Sequence, residues 1–368
     1  MHNNFKEIKN HIAVSSLESP LHASRKDPKI LTVTWFLGKR CNFDCSYCSS
    51  HTHDNFSPHI KKEHAINFID NISSYAEEIK KEIKLAFTGG EPFVHPNILE
   101  ILKYSHNVKN IKNISIVTNG SLPLELYQES SNFITNITIS LHLEQNDINL
   151  QKTIEKILEL NKIKKWFFNI NLMFLPGKME TIKKIIHLFN SNNVKFILRK
   201  IDPPYEDKKT ILKKKDITNF NKIDESFLSV KIKNKETKDT IIKDLQKRYY
   251  SQEEIDFFHN FKNEGQWNNI KLHFIDKKIE LNTDELRARD LNSWTNWHCY
   301  IGIDSIYVQH DGSIFRGHCF YGGKIGNIGE KINWPKEPIV CGLNICECNA
   351  DMVVRKIKDI KYKNLIDE

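Results

Sequence analysis

The sequence predicts an α/β fold: a partial (β/α)6 TIM-like barrel, followed by a smaller C-terminal β-hairpin/loop domain that binds a metal cluster. Three observations predict it. From residue 31 onward, short β-branched and aromatic runs alternate with longer amphipathic ones, the pattern of repeated βα units. The stretches richest in Cys, Gly, Asn and Ser fall just after the short runs, where a parallel barrel gathers its chemistry. The eight cysteines fall in two groups, 41/45/48 and 299/319/341/346/348.

Taken in order, the first strand is expected at 31–37 and leads into the first cysteine group. A helix follows over 60–79, with Ile60, Ala65, Ile66, Ile69, Ile72, Tyr75, Ala76 and Ile79 on one face. The second strand, 84–87, runs into Thr88-Gly89-Gly90-Glu91-Pro92. The third, 114–117, ends at Thr118-Asn119-Gly120, and the fourth, 137–141, ends near His142. The fifth, 167–174, is stopped by Pro176-Gly177, and the sixth, 194–198, ends at Arg199. Linking helices are signalled by Ile154, Ile157 and Leu158, and by Ile182, Ile185, Ile186 and Phe189.

The resulting domain expectation is an N-terminal extension at 1–30, the barrel at 31–205, a lysine-rich insert or linker at 206–290, the cluster-binding domain at 291–354 and a tail at 355–368. A chain of 368 residues with 39% hydrophobic and 10% aromatic content is long enough for one large and one smaller core. Helical stretches are expected at 220–227 and 240–249, and a hairpin over 270–281 turning at Asp276-Lys277-Lys278. The insert reads equally as a lid, a linker or a substrate-selecting piece.

The net charge of +8 comes from lysines dispersed among acids. That is a solvated surface, not a groove for nucleic acid, which gathers Lys and Arg around aromatics. Neither a signal peptide nor a long apolar run is present, so the expectation is a cytoplasmic protein with no membrane partner. In that reducing compartment the cysteines read as two metal sites rather than disulfides.

Cys41-Asn42-Phe43-Asp44-Cys45-Ser46-Tyr47-Cys48 carries three thiols, one short of a closed site. On a four-iron cluster, three thiolates leave one iron able to hold something else. A zinc knuckle completed by His51 or His53, or three unconnected cysteines, is the alternative. Gly89-Gly90 let backbone approach a ligand closely, and the neighbouring Glu91 can hold an ammonium group.

The CxxxCxxC loop with Tyr47 before its last cysteine, followed about forty residues later by Gly89-Gly90-Glu91-Pro92, resembles the radical S-adenosylmethionine (SAM) superfamily over residues 31–199. The resemblance implies a [4Fe-4S] cluster on Cys41, Cys45 and Cys48, with SAM on the fourth iron. It implies that Glu91 and the Gly89-Gly90 backbone hold the methionine ammonium. Tyr47 would lie by the adenine and Ser140 near the ribose or carboxylate, with Thr118, Asn119, His142, Asn171 and Arg199 as further contacts. Its chemistry would be reductive cleavage of SAM to a 5′-deoxyadenosyl radical that abstracts hydrogen from a substrate. A one-electron reductant such as flavodoxin or ferredoxin would supply the electron.

Downstream, Cys299, an Asp311-Gly312 hairpin across 305–316, and Cys319 precede Cys341, Cys346 and Cys348. This resembles the twitch and SPASM extensions of the same superfamily, implying an auxiliary [4Fe-4S] cluster. Cys299, Cys319, Cys346 and Cys348 are the expected ligands, with Cys341 replacing one of them or near substrate; a four-cysteine zinc site is the alternative. An auxiliary cluster points to net oxidation of a small metabolite or sugar. Two other readings are a peptide- or protein-modifying maturase and a non-catalytic iron–sulfur or zinc binding module.

Overall fold

The alternation that starts at residue 31 becomes a row of parallel strands in the computed structural model, which describes residues 20–24, 27–48, 53–163, 166–201, 219–220, 230–231, 250–261, 269–274, 277–346 and 348–359. After a short β1 (His22–Ser24) come β2 (Ile30–Phe36), α1 (Lys62–Glu78), β3 (Glu82–Thr88), α2 (Ile98–Asn107), β4 (Ile111–Thr118) and α3 (Leu124–Ser130). The rhythm continues through β5 (Asn136–Leu141), α4 (Asp147–Asn161), β6 (Phe167–Phe174), α5 (Met179–Ser191) and β7 (Phe196–Lys200). Strands β2 to β7 pair in sequence order, all parallel. The six expected strands are therefore present, each within a few residues of its expected bounds.

Strict burial alternation along β2 turns Leu31, Val33 and Trp35 to the core. Helix α1 covers them with Ala65, Phe68, Ile69, Ile72, Tyr75 and Ala76, and Trp35 meets Phe68 edge to face at 4.9 Å. Phe68, rather than the expected Ile66, fills the middle of that face.

Beyond β7, β8 (Asn219–Phe220) and β9 (Val230–Lys231) pair with each other. The helical stretches expected at 220–227 and 240–249 lie, apart from Phe220, outside the described residues. Helix α6 (Gln252–Asn260) opens with a Ser251/Glu254 capping box. It docks on the end of the barrel. Tyr250 donates to the Phe174 carbonyl at 2.6 Å and accepts from the Ile201 N–H at 3.0 Å, while Glu254 accepts from the Gly177 N–H at 2.7 Å.

The C-terminal part contains β10 (Asn269–His273), β11 (Lys278–Asn282), α7 (Thr283–Ala288), β12 (His298–Cys299), β13 (Ser305–Val308), β14 (Ser313–Phe315), β15 (Lys324–Asn327), β16 (Ile339–Val340), α8 (Asn349–Met352) and β17 (Lys356–Ile357). Both expected hairpins form: β10 pairs with β11 and β13 with β14, antiparallel in each case. Their destinations differ. Strand β13 adds in parallel to the free edge of β2, so the barrel sheet runs β15-β14-β13-β2-β3-β4-β5-β6-β7 and stays open, with no closure among the described residues. The other hairpin joins β1, β17, β12 and β16 in a second sheet. Segments assigned to the N-terminal extension, the insert and the tail thus share one sheet with the cysteine-rich part.

Buried polar contacts hold the C-terminal part to the barrel. Asp304, 5% exposed, pairs with Lys81 and takes two bonds from Arg355 at 3.0 and 3.1 Å. Tyr75 on α1 stacks on Trp334, and its hydroxyl lies 2.8 Å from the Gly302 carbonyl and 2.7 Å from that of Pro335. No described helix is long and apolar enough to cross a membrane.

Candidate functional site

The cysteine loop leaves β2 and is closed at its neck by short backbone bonds: Cys41 N–H to the Asp54 carbonyl at 2.7 Å, and Asp54 N–H to that of Lys39 at 3.1 Å. Within it, the Cys48 N–H bonds back to the Cys45 carbonyl at 2.9 Å, which folds the last cysteine toward the second. All three thiols line one cavity of about 410 Å³ at the C-terminal ends of the parallel strands. Gly89 and Gly90 line it from the end of β3, Thr118 and Asn119 from β4, and Ser140 and His142 from β5. Tyr47 from the loop lines it too, with Phe36, Val117 and Met173 supplying apolar wall.

The glycine pair has a steric cause beyond ligand approach. Its backbone packs directly against the segment entering the cysteine loop: Gly90 N–H bonds the Gly38 carbonyl at 2.9 Å, and Glu91 N–H that of Arg40 at 2.8 Å. A Cβ on Gly89 would meet the Gly38 carbonyl oxygen at 2.6 Å, and Gly89 has φ +120°.

Glu91 does not line the cavity. It is 2% exposed, and its carboxylate accepts from Phe93 N–H at 3.0 Å, Thr118 hydroxyl at 2.8 Å and Asn119 N–H at 2.6 Å. Burial raises its pKa to about 7 against the pull of these donors. The side chain thereby ties the loop after β3 to the loop after β4. Pro92 begins a buried helical turn, Pro92–Val94, that Glu91 caps.

On the opposite wall, the Tyr47 hydroxyl pairs with Nδ1 of His142, and the Cys45 sulfur lies 3.7 Å from the same nitrogen. Burial holds His142 neutral, with its pKa lowered to about 4. Ser140 accepts from Asn171 at 3.5 Å, and Asn171 in turn accepts from Arg199 at 3.5 Å, a polar chain across β5, β6 and β7. Arg199 itself lies at the exposed end of β7, away from the cavity wall.

Four contacts were absent from the sequence reading. Asn42 bonds both Asn119 (2.9 Å) and Ser121 (2.8 Å), Ser46 N–H donates to Glu144 at 2.8 Å, and Phe43 meets His142 edge on. Asn42, Phe43 and Ser46 lie inside the motif, but their partners are some 80 to 100 residues away, with no local signal.

Burial pushes the Cys41 thiol up and that of Cys45 to about 12, so thiolates here need a compensating cation. A single ion draws its donors to within about 4 Å of one another. Among the described residues, the group that gathers three ligand atoms within 4.8 Å of one another is His318, Cys348 and Asp351, not this loop. His53 of the loop is engaged by Asp44 at 3.1 Å, and His51 lies outside the described residues. A family model, that of the radical SAM superfamily, matches residues 35–189.

That match covers less than half of the chain. Proteins similar to it include a GTP 3′,8-cyclase of Listeria welshimeri, 28% identical over 151 residues, covering 38% of this chain and 44% of that enzyme. A radical SAM cyclopropyl synthase, TigE, of Paramaledivibacter caminithermalis is 32% identical over 108 residues, 26% of this chain and 23% of the relative. The chain thus spans less than half the length of these relatives. Among solved structures, SuiB of Streptococcus suis bound to S-adenosylmethionine aligns with 14% identity and a TM-score of 0.46, over 82% of this chain and 64% of that one.

Outside the matched residues, the five distal cysteines lie in the C-terminal part. Cys299 ends β12, Cys319 follows β14, Cys341 follows β16, and Cys348 caps α8. Burial raises Cys299 to about 11 and Cys346 to about 12. Neighbouring charges modulate both: Lys356 pulls them down, and nearby thiols and Asp351 push them up.

Proposed function

We propose that this protein is an enzyme that holds a [4Fe-4S] cluster on Cys41, Cys45 and Cys48 and binds SAM beside it, to abstract hydrogen from a substrate. The observation that carries the reading is the convergence of four consecutive strand ends on one cavity that also contains all three loop thiols. Cys41, Cys45 and Cys48 would hold the cluster, which when reduced would supply the one electron needed to cleave the bound SAM.

The chain's own residues orient and shield. Thr118, Asn119 and the Gly89-Gly90 backbone offer polar groups to the amino acid end of SAM, while Ser140, bonded from behind by Asn171, faces its ribose and carboxylate. Tyr47 and His142, stacked with ring centroids 5.9 Å apart, form a wall for the adenine. Phe36, Val117 and Met173 keep water from the reacting end. Glu91, buried beneath the cavity, acts by holding two of these loops in register, although an ammonium contact is what the motif implies. The domain scheme is a barrel at 31–205 and a metal-binding part at 291–354, whose sheet also takes in β10 and β11 from the lysine-rich insert or linker at 206–290.

A second metal centre among Cys299, Cys319, Cys341, Cys346 and Cys348, an auxiliary [4Fe-4S] cluster, favours net oxidation, because it can accept an electron from a substrate radical. The substrate class we favour is a small metabolite or sugar, with a peptide or protein side chain as the alternative. The reaction fits a cytoplasmic setting with a flavodoxin or ferredoxin as electron donor.

Anaerobic reconstitution tests this directly. Reduced protein with SAM should release 5′-deoxyadenosine, and replacing Cys41, Cys45 and Cys48 together with Ala should abolish the release and remove about half of the iron. Iron content unchanged by the triple replacement would sink the cluster assignment.

A further inference from the structure

Five distal thiols are one more than a four-thiolate centre takes, and the geometry points to where one of them goes. We propose that Cys348, His318 and Asp351 form a separate site for a single zinc-class divalent cation, leaving Cys299, Cys319, Cys341 and Cys346 as the four-thiol set.

The Cys348 sulfur, a His318 ring nitrogen and an Asp351 carboxylate oxygen all lie within 4.8 Å of one another. Two of these groups carry atoms that want a partner. Asp351 is 1% exposed; one oxygen accepts from the Cys319 N–H at 2.6 Å, but Oδ1 has no hydrogen-bond partner. The buried Nδ1 of His318 also has no hydrogen-bond partner; it stands 3.7 Å from Oδ1, at ion-pair distance but beyond hydrogen-bond length. Buried carboxylate oxygens and imidazole nitrogens are costly without partners, and a cation between them satisfies both.

The three donors are held from different sides. His318 stacks on Tyr307 with ring centroids 4.3 Å apart, which fixes the plane of the imidazole. Cys348 and Asp351 share one helical turn, since the Cys348 carbonyl accepts the N–H groups of Asp351 (3.1 Å) and Met352 (2.8 Å). Space for the carboxylate depends on Gly317, where a Cβ would sit 2.8 Å from Oδ1. The nearby Lys356 ammonium donates to the carbonyls of Asp351, Met352 and Val354 at 2.6, 3.0 and 2.8 Å, so its protons are directed to backbone rather than to the Asp351 carboxylate.

One thiolate, one imidazole and one carboxylate are a zinc donor set, and three protein ligands leave the fourth position to water. The ion would clamp the loop after β14 to α8, where the flanking strands β12, β16 and β17 have two residues each and little ladder of their own. The site is independent of whether the other four thiols carry an iron–sulfur cluster.

The test uses the full chain, reconstituted anaerobically with iron and sulfide and then titrated with Zn²⁺ or Co²⁺. The wild type should take up about one zinc beyond its iron, and with Co²⁺ should develop a thiolate-to-cobalt charge-transfer band. His318→Ala and Asp351→Asn should each weaken zinc binding by at least about tenfold with iron unchanged, and Cys348→Ser should lose the cobalt band. The wild-type titration needs no variant, so a misfolded substitution leaves the proposal exposed. Absence of stoichiometric zinc or cobalt uptake overturns it, as does loss of iron along with zinc in the His318 or Asp351 variants, which would make them ligands of the iron centre. Release of 5′-deoxyadenosine reads the radical SAM site separately.

Discussion

Gly90 and Lys39 pack backbone to backbone so closely that a Cβ on Gly90 would lie 2.3 Å from the Lys39 carbonyl oxygen and 2.4 Å from that of Arg40. Both oxygens belong to the segment that enters the cysteine loop, so the glycine sets where the first thiol goes. Gly90→Ala should therefore displace the loop, with a stability loss of about 1–3 kcal/mol and iron binding at Cys41, Cys45 and Cys48 reduced. Gly38→Ala is the control, since its Cβ would meet nothing closer than 4.0 Å. Equal iron content and unfolding midpoints in the two variants would refute the steric role.

Removal of the Glu91 carboxylate leaves the Phe93 and Asn119 N–H groups and the Thr118 hydroxyl without their buried acceptor. Glu91→Ala is expected to cost about 3–5 kcal/mol in denaturant unfolding, and Thr118→Val, which deletes one donor, only about 1 kcal/mol. A near-silent Glu91→Ala would argue that the side chain does no structural work and leave only ligand contact.

Asp304 is the junction between the barrel and the C-terminal part, through Lys81 and Arg355. Asp304→Ala leaves two cations facing a buried gap and should destabilise the fold by roughly 3–5 kcal/mol. Adding Lys81→Met should restore part of that loss. Strict additivity in this double-mutant cycle would contradict the coupling.

His22 predicts an acid sensitivity. Its ring is fully buried, with no hydrogen-bond partner at either nitrogen. Burial first, then the charges of His273 and Arg355, lower its pKa from 6.5 to about 3. Below pH 6.5 the unfolded chain takes up a proton that the folded chain refuses. The stability contribution is thus complete above pH 6.5 and is lost progressively as pH falls toward 3, by up to about 1.4 kcal/mol per unit. His22→Phe should flatten the pH dependence of unfolding between pH 6 and 4; identical slopes would rule out this linkage.

Much of this protein was legible in the sequence because its signals are local. The barrel strands read as short runs in which apolar residues recur at every second position, and the cysteine loop and the Gly-Gly-Glu-Pro turn are each complete within a few residues. Their shared sheet edge follows from βα order alone, since parallel connections return each strand end to the same side. The loop partners were hidden: Ser46 bonds Glu144, and Asn42 bonds Asn119, contacts that periodicity does not encode.

By itself, then, the sequence determined the six-strand barrel, the positions of the cysteine loop and glycine turn on it, and the pairing of both C-terminal hairpins. Only the tertiary structure decided that β13 extends the barrel sheet at β2, that residues 22–24 and 356–357 join the same second sheet, and that His318 and Asp351 come together beside Cys348. The physical reason is range. Strand and turn preferences act over a handful of neighbours, whereas the choice of a free sheet edge, or of a partner for a buried carboxylate, depends on what remains unpaired once the barrel sheet has packed on its core.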